Sequence, residues 1–295
     1  MATTNPIKKR IQDLKKENEQ LRKEKESLLV LVDEAELPES VYNSNAIENS
    51  TLTLKETEKI LLEMEMQRDV SVREVFEAKN LARVINYIRD KSQEKEISKE
   101  SILLLHQMLL GGIDDSIAGR FRKEYEYVRV GTHIAPAPEH IDLMLDSALS
   151  EYSNELETYF LDKIAKFHLD FETIHPFNDG NGRIGRILIC YQLMRLGFPM
   201  IIIRDKEKAQ YYKAFNDYRE KKNTKTMEKV LSLALIESLH KRIAYLKGDK
   251  IITLSDYARA NKKSAPAVFN AARRQNIPAF REKGVWKIGK SAKIG

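Results

Sequence analysis

The spacing of apolar residues predicts a chain built mostly from helices. Apolar positions recur every three to four residues over most of its length, and the capping box Thr53-x-x-Glu56 begins one helix that should reach about Met66. Residues 125–130 alternate instead, as a strand does, and Gly131 turns that strand into a hairpin. One hairpin among about nine helices predicts an all-α body. The other predicted helices cover 70–87, 102–110, 139–157, 159–175, 183–196, 205–220 and 224–246.

Heptad spacing marks the first part of the chain. Ile7, Leu14, Leu21 and Leu28 stand seven residues apart, and polar Asn18 interrupts the seam. The pattern predicts an N-terminal helix within residues 1–39. This helix either packs on the body through one amphipathic face or forms a short dimeric coiled coil. Because the span is only about three to four heptads, we favour packing on the body, with a homodimer as the alternative.

The last part of the chain differs in charge and in pattern. Residues 249–295 hold 11 Lys and Arg against 3 Asp and Glu, a net charge of +8, whereas the whole chain carries +6. Helical segments at 253–258 and 266–274 precede a hairpin pattern at 277–288. This order resembles a winged helix-turn-helix of the excisionase type, whose basic residues would suit the phosphates of duplex DNA. A basic protein-interaction domain is the alternative.

Composition limits the class of protein. With 295 residues, of which 42% are hydrophobic, the chain has room for a large domain, at 40–247, and a small one, at 249–295. No apolar run approaches the length of a membrane span, and the first residues lack the apolar segment of a signal peptide. Cys190 is the only cysteine and lies in an apolar stretch, so it should be a buried thiol. We therefore expect a cytoplasmic protein.

The residues around position 180 predict a phosphate site. Pro176 should end the preceding helix at about His175, because proline lacks the N–H group that a helix interior needs. The sequence from Asp179 to Gly182 can form the turn that opens the next helix. A glycine turn at a helix N-terminus presents free N–H groups and the positive end of the helix dipole, which together favour phosphate.

The side chains of the same segment supply the matching chemistry. Arg183 and Arg186 lie one helical turn apart, where two guanidinium groups can clamp phosphate oxygens. Asp179 can hold Mg²⁺ against those phosphates, and His175 can accept a proton near neutral pH. An ordinary helix–helix turn with solvated arginines is the alternative. The full set of groups within 12 residues favours the phosphate site.

The motif His-Pro-Phe-x-Asp-Gly-Asn-Gly-Arg-x-x-Arg is complete from His175 to Arg186. It resembles the signature of the Fic (filamentation induced by cAMP) family. Residues 165–174 resemble the family helix that leads into the motif, and residues 118–122 and 130–134 resemble its β-hairpin flap. The similarity extends over about residues 40–247. It implies the Fic helical fold with one β-hairpin flap.

The resemblance also implies an activity, a protein adenylyltransferase that moves AMP from ATP to a Ser, Thr or Tyr hydroxyl. The acceptor would be a target protein or the enzyme itself. His175 would be the base, Asp179 would bind Mg²⁺, and Arg186 would bind the γ-phosphate. Tyr211 would lie near the adenine, or in the core. The flap would hold the target backbone by strand addition through Val130, Gly131, Thr132 and His133. The predicted nucleotide-binding residues are Gly180, Asn181, Gly182, Arg183, Ile184, Gly185, Arg186 and Tyr211.

An upstream segment resembles the inhibitory motif of the same family. Ser44, Glu48 and Asn49 match the pattern Ser/Thr-x-x-x-Glu-Gly/Asn. The resemblance implies that Glu48 pairs with Arg186 and displaces the γ-phosphate, and a buried pair of this kind is worth about 2 to 4 kcal/mol. A helix capping box at Asn45-x-x-Glu48 is the structural alternative. Two other functions stay open, a DNA-binding regulator whose Fic body senses nucleotide and a hydrolase that removes AMP by using Glu48 to activate water.

Overall fold

The computed structural model describes residues 3–63, 70–131 and 133–294, and helices form most of these ranges. No helix in them is long and apolar enough to cross a lipid bilayer. Apolar side chains from the helices meet in one core, which includes Phe171 and Phe177 on either side of His175. The helices of the body are α1 Asn5–Leu21, α2 Glu26–Ile47, α3 Leu54–Glu58, α4 Val72–Lys91, α5 Lys99–Leu110, α6 Ile141–Asn154, α7 Phe160–Ile174, α8 Asn181–Arg195, α9 Lys208–Lys221 and α10 Lys225–Leu246.

The N-terminal region is two helices, so the prediction of one helix over residues 1–39 is wrong. The chain turns between α1 and α2, where Glu24 has a φ of 63°. Ile11 and Asn18 of α1 are buried, and α1 packs on α10. Lys25 Nζ donates to the carbonyl of Leu246 at 2.7 Å. The face of α1 that carries the heptad pattern therefore packs against the same chain. The predicted domain boundary between residues 39 and 40 falls inside α2.

The capping box at the start of α3 is confirmed. Thr53 Oγ1 accepts from the Glu56 N–H at 3.3 Å, and the Thr53 N–H donates to Glu56 Oε2 at 2.7 Å. A π-helical turn over 59–63 follows α3. The predicted end of this helix at Met66 lies outside the described residues.

The flap is shorter than the alternating pattern predicts. Strand β1 is Arg129–Val130, and it pairs antiparallel with β2, His133–Ile134. The predicted strand over 125–130 is wrong in its first half, because Tyr125 has a φ of 70° and cannot continue a strand. The hairpin is thus a short projection beside the C-terminal end of α7.

Residues 249–294, here called the tail module, have a small core of their own. Two helices precede a hairpin, as predicted, and an unpredicted short strand precedes the helices. The hairpin and this strand form an antiparallel sheet in the order β3-β5-β4. The elements are β3 Ile251–Thr253, α11 Leu254–Ala260, α12 Ala265–Arg273, β4 Ala279–Glu282 and β5 Val285–Gly289.

Charged side chains fasten the tail module to the body. Arg281 on β4 donates to Glu237 of α10, with an Nη2–Oε2 distance of 2.6 Å. Arg204, in the segment before α9, bonds both Glu237 and Glu39 of α2. All of these groups are largely buried, so the contact is an ion-pair network that little water reaches.

Candidate active site

A buried arginine fixes the end of α7 where His175 stands. His175 has a φ of 50°, which ends the helix, and Pro176 follows it. Arg122 donates to the carbonyls of His175 at 2.9 Å, Ile174 at 3.3 Å and Pro136 at 2.9 Å. The bonds to Ile174 and His175 satisfy carbonyls that the end of a helix leaves without partners. One side chain therefore sets the backbone of the predicted base and of the segment after the flap.

The turn between α7 and α8 is closed by the side chain of Asn181. Its Oδ1 accepts from the Phe177 N–H at 2.9 Å, and its Nδ2 donates to the Phe177 carbonyl at 2.8 Å. Gly180 has a φ of 79°, and a Cβ there would lie 3.0 Å from Leu110. The side chain of Asn181 thus shapes the turn and is 2% exposed, which leaves its backbone N–H as its contribution to a phosphate site.

His106 on α5 supports the same turn. The N–H of Gly119 donates to His106 Nδ1 at 3.0 Å, so the proton of the neutral ring must be on Nε2. Nε2 then donates to the carbonyl of Asp179 at 3.1 Å. Burial lowers the pKa of His106 to about 4, so the ring is neutral at pH 7.

Two of the predicted nucleotide-binding residues do not face the site. The N–H of Ile184 bonds the carbonyl of Gly180 at 2.9 Å, and its side chain is in the core. Gly185 packs against α7, because a Cβ there would lie 2.5 Å from Glu172 Oε1 and 2.8 Å from His168 Cε1. Both residues are therefore packed into the fold, and nucleotide binding by them stays a prediction.

Arg186 is held by the end of α2. Its Nε donates to Ser44 Oγ at 3.0 Å, and its Nη2 donates to the carbonyl of Ser44 and to Glu48 Oε1, both at 2.8 Å. Burial alone would lower the pKa of Arg186, but the carboxylate of Glu48 more than offsets this effect and the pKa is raised. The guanidinium is therefore charged.

Glu48 also covers the N-terminus of α8. A Cβ at Gly182 would lie only 2.1 Å from Glu48 Oε1, so the carboxylate fills the space in front of the first turn. The side chain of Glu48 is 37% exposed, so the pair is half-buried and not buried as predicted. The alternative of a capping box at Asn45 is wrong, because α2 ends at Ile47 and residues 45–48 close a helix. Asn49 follows with a φ of 67°.

Asp179 lies at the mouth of the turn between two arginines. Its Oδ1 accepts from Arg183 Nη2 at 3.0 Å, and its Oδ2 accepts from Arg73 Nη2 at 2.5 Å. Although burial opposes it, Arg183 helps to lower the pKa of Asp179, which is a carboxylate at pH 7. The side chain of Arg183 is buried and also pairs with Glu77 at 3.2 Å. The predicted contribution of Arg183 to phosphate binding is thereby limited to its backbone N–H in this arrangement.

A second carboxyl group lies beside the predicted base. Glu172 Oε2 is 3.9 Å from His175 Nδ1. Burial, together with the nearby Glu48 carboxylate, raises the pKa of Glu172 to about 8. Burial lowers the pKa of His175 to about 4. At pH 7 the pair is therefore a neutral imidazole beside a mostly protonated carboxyl group.

Glu172 and His175 line one pocket together with Glu48 and Arg186. Tyr211 forms part of its wall, is 1% exposed, and its Oη lies 2.8 Å from His168 Nε2. His168 is thus a hydrogen-bonded helix residue. Among the described residues, no group of three or more His, Cys, Asp or Glu is arranged to hold a metal ion. The residues that line the pocket include Glu48, Val130, Glu172, His175, Gly182, Arg186, Tyr211 and Tyr212.

The flap borders this pocket. Val130 lines it, and Gly131 has a φ of 60°, which suits the hairpin turn. His133 Nε2 lies 3.1 Å from the carbonyl of Thr173, so β2 is bonded to the last turn of α7. Thr132 lies outside the described residues.

The comparisons with known proteins match the part of the chain that holds this pocket. The Fic/DOC family model matches residues 96–193, a range that includes His175 and the whole turn. A curated relative, "Protein adenylyltransferase Fic" of Drosophila willistoni, is 36% identical over 178 residues, which are 58% of this chain and 35% of the relative. The chain thus spans about a third of the length of that protein.

Solved structures show the same fold over a larger part of the chain. A Fic domain containing signaling protein from Bacteroides thetaiotaomicron aligns over 82% of this chain and 98% of its own, with 25% identity and a TM-score of 0.74. A Fic family protein from Desulfovibrio desulfuricans shares the fold over 99% of this chain and 98% of its own, with 18% identity and a TM-score of 0.63. Residues 96–193 thus match a Fic/DOC domain, and the chain shares its fold with solved Fic-domain proteins.

Four residues of the site escaped the sequence analysis. They are Arg73, His106, Glu172 and, in its helix-capping role, Arg122. Each acts through a partner distant in sequence or, for Glu172, through burial, and neither periodicity nor local spacing carries such information. Arg122 alone had a signal, because it lies in the segment that resembles the start of the flap.

Proposed function

We propose that this protein is a protein adenylyltransferase held inactive by Glu48. The observation that carries the proposal is the 2.8 Å contact of Glu48 with Arg186, made in front of Gly182 and in the same pocket as His175. A base, an anion site and an internal carboxylate in that site are the parts of an inhibited phosphoryl-type transferase. The name of the Drosophila relative supports the same reaction.

In the proposed reaction an acceptor hydroxyl oxygen attacks the α-phosphorus of ATP. The bond from that phosphorus to the oxygen bridging to the β-phosphate breaks, and pyrophosphate leaves. His175 takes the proton of the hydroxyl, and its low pKa keeps the ring neutral and able to accept one at pH 7. The flap next to His175 would hold the backbone of the target by strand addition, through the free edge of a two-stranded hairpin.

The phosphates of ATP would lie where the Glu48 carboxylate lies. The backbone N–H groups of Gly182 and Arg183 precede the first intrahelical bond of α8 and point out of its N-terminus. Arg186 would exchange Glu48 and Ser44 for the γ-phosphate. Binding of the γ-phosphate by Arg186 and the Glu48–Arg186 pair are therefore mutually exclusive, which is the proposed inhibition.

Asp179 fits the role of a Mg²⁺ ligand. Mg²⁺ sites in such enzymes commonly use one or two carboxylates and complete their shell with phosphates and water. Asp179 is a carboxylate at the mouth of the turn, and its Oδ2 is bonded to Arg73, which is 54% exposed and can turn away. Mg²⁺ would neutralise phosphate charge. Asp179 would hold it, and Arg183 would keep the Asp179 carboxylate in place.

Auto-modification tests the proposal. Purified wild type, Glu48→Gly and the double variant Glu48→Gly with His175→Ala are incubated with ATP labelled at the α-phosphate, Mg²⁺ and host lysate. We expect label only with Glu48→Gly. Equal labelling of wild type and Glu48→Gly would rule out the proposal that Glu48 inhibits transfer. If Glu48→Gly instead loses the ability to release AMP from a modified protein, the hydrolase replaces the transferase.

The tail module suggests a second function, binding of duplex DNA. Lys262, Lys263, Arg273 and Arg274 are exposed around the two ends of α12, and the module carries a net charge of +8. Affinity should fall steeply as salt rises, because each phosphate contact releases a counterion. A gel shift with the full chain at low and high salt measures this, and no shift at low salt removes the prediction. A homodimer stays a prediction, without the heptad seam to support it.

A further inference from the structure

The turn between β4 and β5 binds an anion inside the protein. Lys283 has a φ of 50° and Gly284 a φ of 75°, so two successive residues are left-handed. Their N–H groups both point to Glu39 of α2. The Lys283 N–H donates to Oε2 and the Gly284 N–H to Oε1, each at 3.0 Å. Successive backbone N–H groups that converge in this way form an anion-binding concavity.

The Glu39 carboxylate occupies the place of a bound anion. Its side chain is 5% exposed, and Arg204 bonds the same Oε1 from the body side. Backbone N–H groups of this kind bind phosphate oxygens as readily as carboxylates. Lys283 adds a charge at the rim, where its Nζ lies 2.9 Å from Glu58 Oε1 and the side chain is 68% exposed.

We infer that the β4–β5 turn is a binding site for a backbone phosphate of nucleic acid and that Glu39 occupies it when no nucleic acid is bound. The +8 charge of the module favours a polyanion as the ligand. The turn itself is open to solvent, since a Cβ at Gly284 would meet no atom within 4 Å. The ligand chemistry is a phosphate diester, and a free inorganic phosphate is the other source that a test must separate.

The exchange of Glu39 for a phosphate leaves the buried charged side chains around the turn with their ion-pair partners. Arg204 stays on Glu39 after the turn moves away, so the carboxylate keeps its partner in the body. Arg281 stays on Glu237, so β4 stays fastened to α10 while the tip of the hairpin moves. A buried ion that loses its only partner is costly, and this arrangement avoids that loss.

The site is connected to the pocket through α2. Glu39 and Ser44 are on one unbroken helix, and that helix ends in the residue before Glu48. Asn43 adds a bond to the segment before α9, since its Oδ1 accepts from the Asp205 N–H at 3.1 Å. When the turn leaves Glu39, α2 loses two of the bonds that hold it beside Arg186. Nucleic acid should therefore weaken the Glu48–Arg186 contact, a step that rests on the proposed function.

The test uses the full chain and a 20-base-pair DNA duplex. Glu39→Gln removes the internal competitor but keeps its size, so we expect DNA affinity to rise about three- to tenfold. The matched control is Glu58→Gln, which changes a partner of the Lys283 side chain and leaves the N–H groups of the turn in place, and it should change affinity less than twofold. Gly284→Ala strains the turn and should lower DNA affinity at least threefold. Equal affinities of wild type and Glu39→Gln overturn the inference.

Amide exchange supplies a readout that does not depend on activity. DNA should speed exchange across residues 36–48 of the wild type, and unchanged exchange in the presence of bound DNA overturns the connection to α2. Inorganic phosphate at an equal concentration of phosphate groups should have no such effect. If it reproduces the effect, a free anion is the ligand and the assignment to nucleic acid is overturned. Should Glu48→Gly show no transferase activity, the proposed function fails, whereas the affinity and exchange results still decide this inference.

Discussion

The imidazole of His106 lies flat on the ring of Phe177, with the centroids 3.7 Å apart and the planes 5° from parallel. The same imidazole bonds the carbonyl of Asp179. α5 thereby supports both ends of the loop that follows His175. The shape of the turn before α8 therefore depends on a side chain that does not line the pocket.

His106→Ala should loosen this loop and destabilise the protein. The change removes a stacked ring and leaves the N–H of Gly119 and the carbonyl of Asp179 without their partner, which should cost about 2 to 3 kcal/mol. The melting temperature should fall by roughly 4 to 10 °C. Calorimetry measures the shift, with His140→Ala, an exposed histidine, as the control that should not move it. A stable His106→Ala protein would show that the loop keeps its shape without this support.

The pH dependence of stability should carry the signature of His106. Its pKa is lowered to about 4 in the folded protein from about 6.5 in the unfolded chain. Between these values the unfolded state binds more protons, so the free energy of unfolding falls as the pH falls. One such group contributes a slope of about 1.4 kcal/mol per pH unit between roughly pH 4.5 and 6. The free energy of unfolding, measured with urea over this pH range, should change with pH more steeply in wild type than in His106→Gln, and the slopes should differ by that amount. Equal slopes for the two proteins would contradict the assignment to His106.

Glu48→Gly should raise the rate of AMP transfer, but by less than the loss of a fully buried ion pair would predict. The Glu48 carboxylate is 37% exposed, so solvent screens part of its attraction to Arg186. A contact of about 1 to 2 kcal/mol corresponds to roughly a 5- to 30-fold rise, at about 1.4 kcal/mol per factor of ten. The initial rate of labelling measures it. Arg186→Ala is the informative partner, because it breaks the same contact yet removes the γ-phosphate clamp and should give no rise.

His175→Ala in the Glu48→Gly background should abolish labelling while ATP affinity stays within a few-fold. A general base acts on the barrier and contributes little to binding of the ground state. Calorimetric titration with ATP and Mg²⁺ gives the affinity, and labelling gives the rate. Retained labelling, or loss of ATP binding together with activity, would count against His175 as the base.

The sequence predicted the motif turn well because its signals are local. Pro176 and Gly180 determine the backbone on their own, so the end of α7 and the start of α8 follow from residue type. The likeness of Ser44–Asn49 to an inhibitory pattern correctly predicted the contact between Glu48 and Arg186, although these two residues are 138 positions apart. That success came from the family resemblance, because no periodicity joins such distant segments.

The failures have a common physical cause. The strand predicted from residue 125 fails at Tyr125, because alternating apolar spacing does not show that this residue has a φ of 70°. The heptads around Leu21 continue across a turn, because apolar spacing cannot show whether a helix breaks at Glu24. The half-exposed state of Glu48 depends on tertiary packing that only the assembled fold determines.

The ion-pair network under β4 has a consequence for dissecting the protein. A chain that ends at residue 248 would lose Arg281 and leave the Glu237 carboxylate with Arg204 as its one remaining partner from that network. It would also expose the α2 surface that the hairpin covers. The Fic body therefore changes its own charge balance when the tail module is cut away. Whatever activity such a fragment shows belongs to an altered protein, and substitutions in the full chain are the sound way to separate the roles of the two parts.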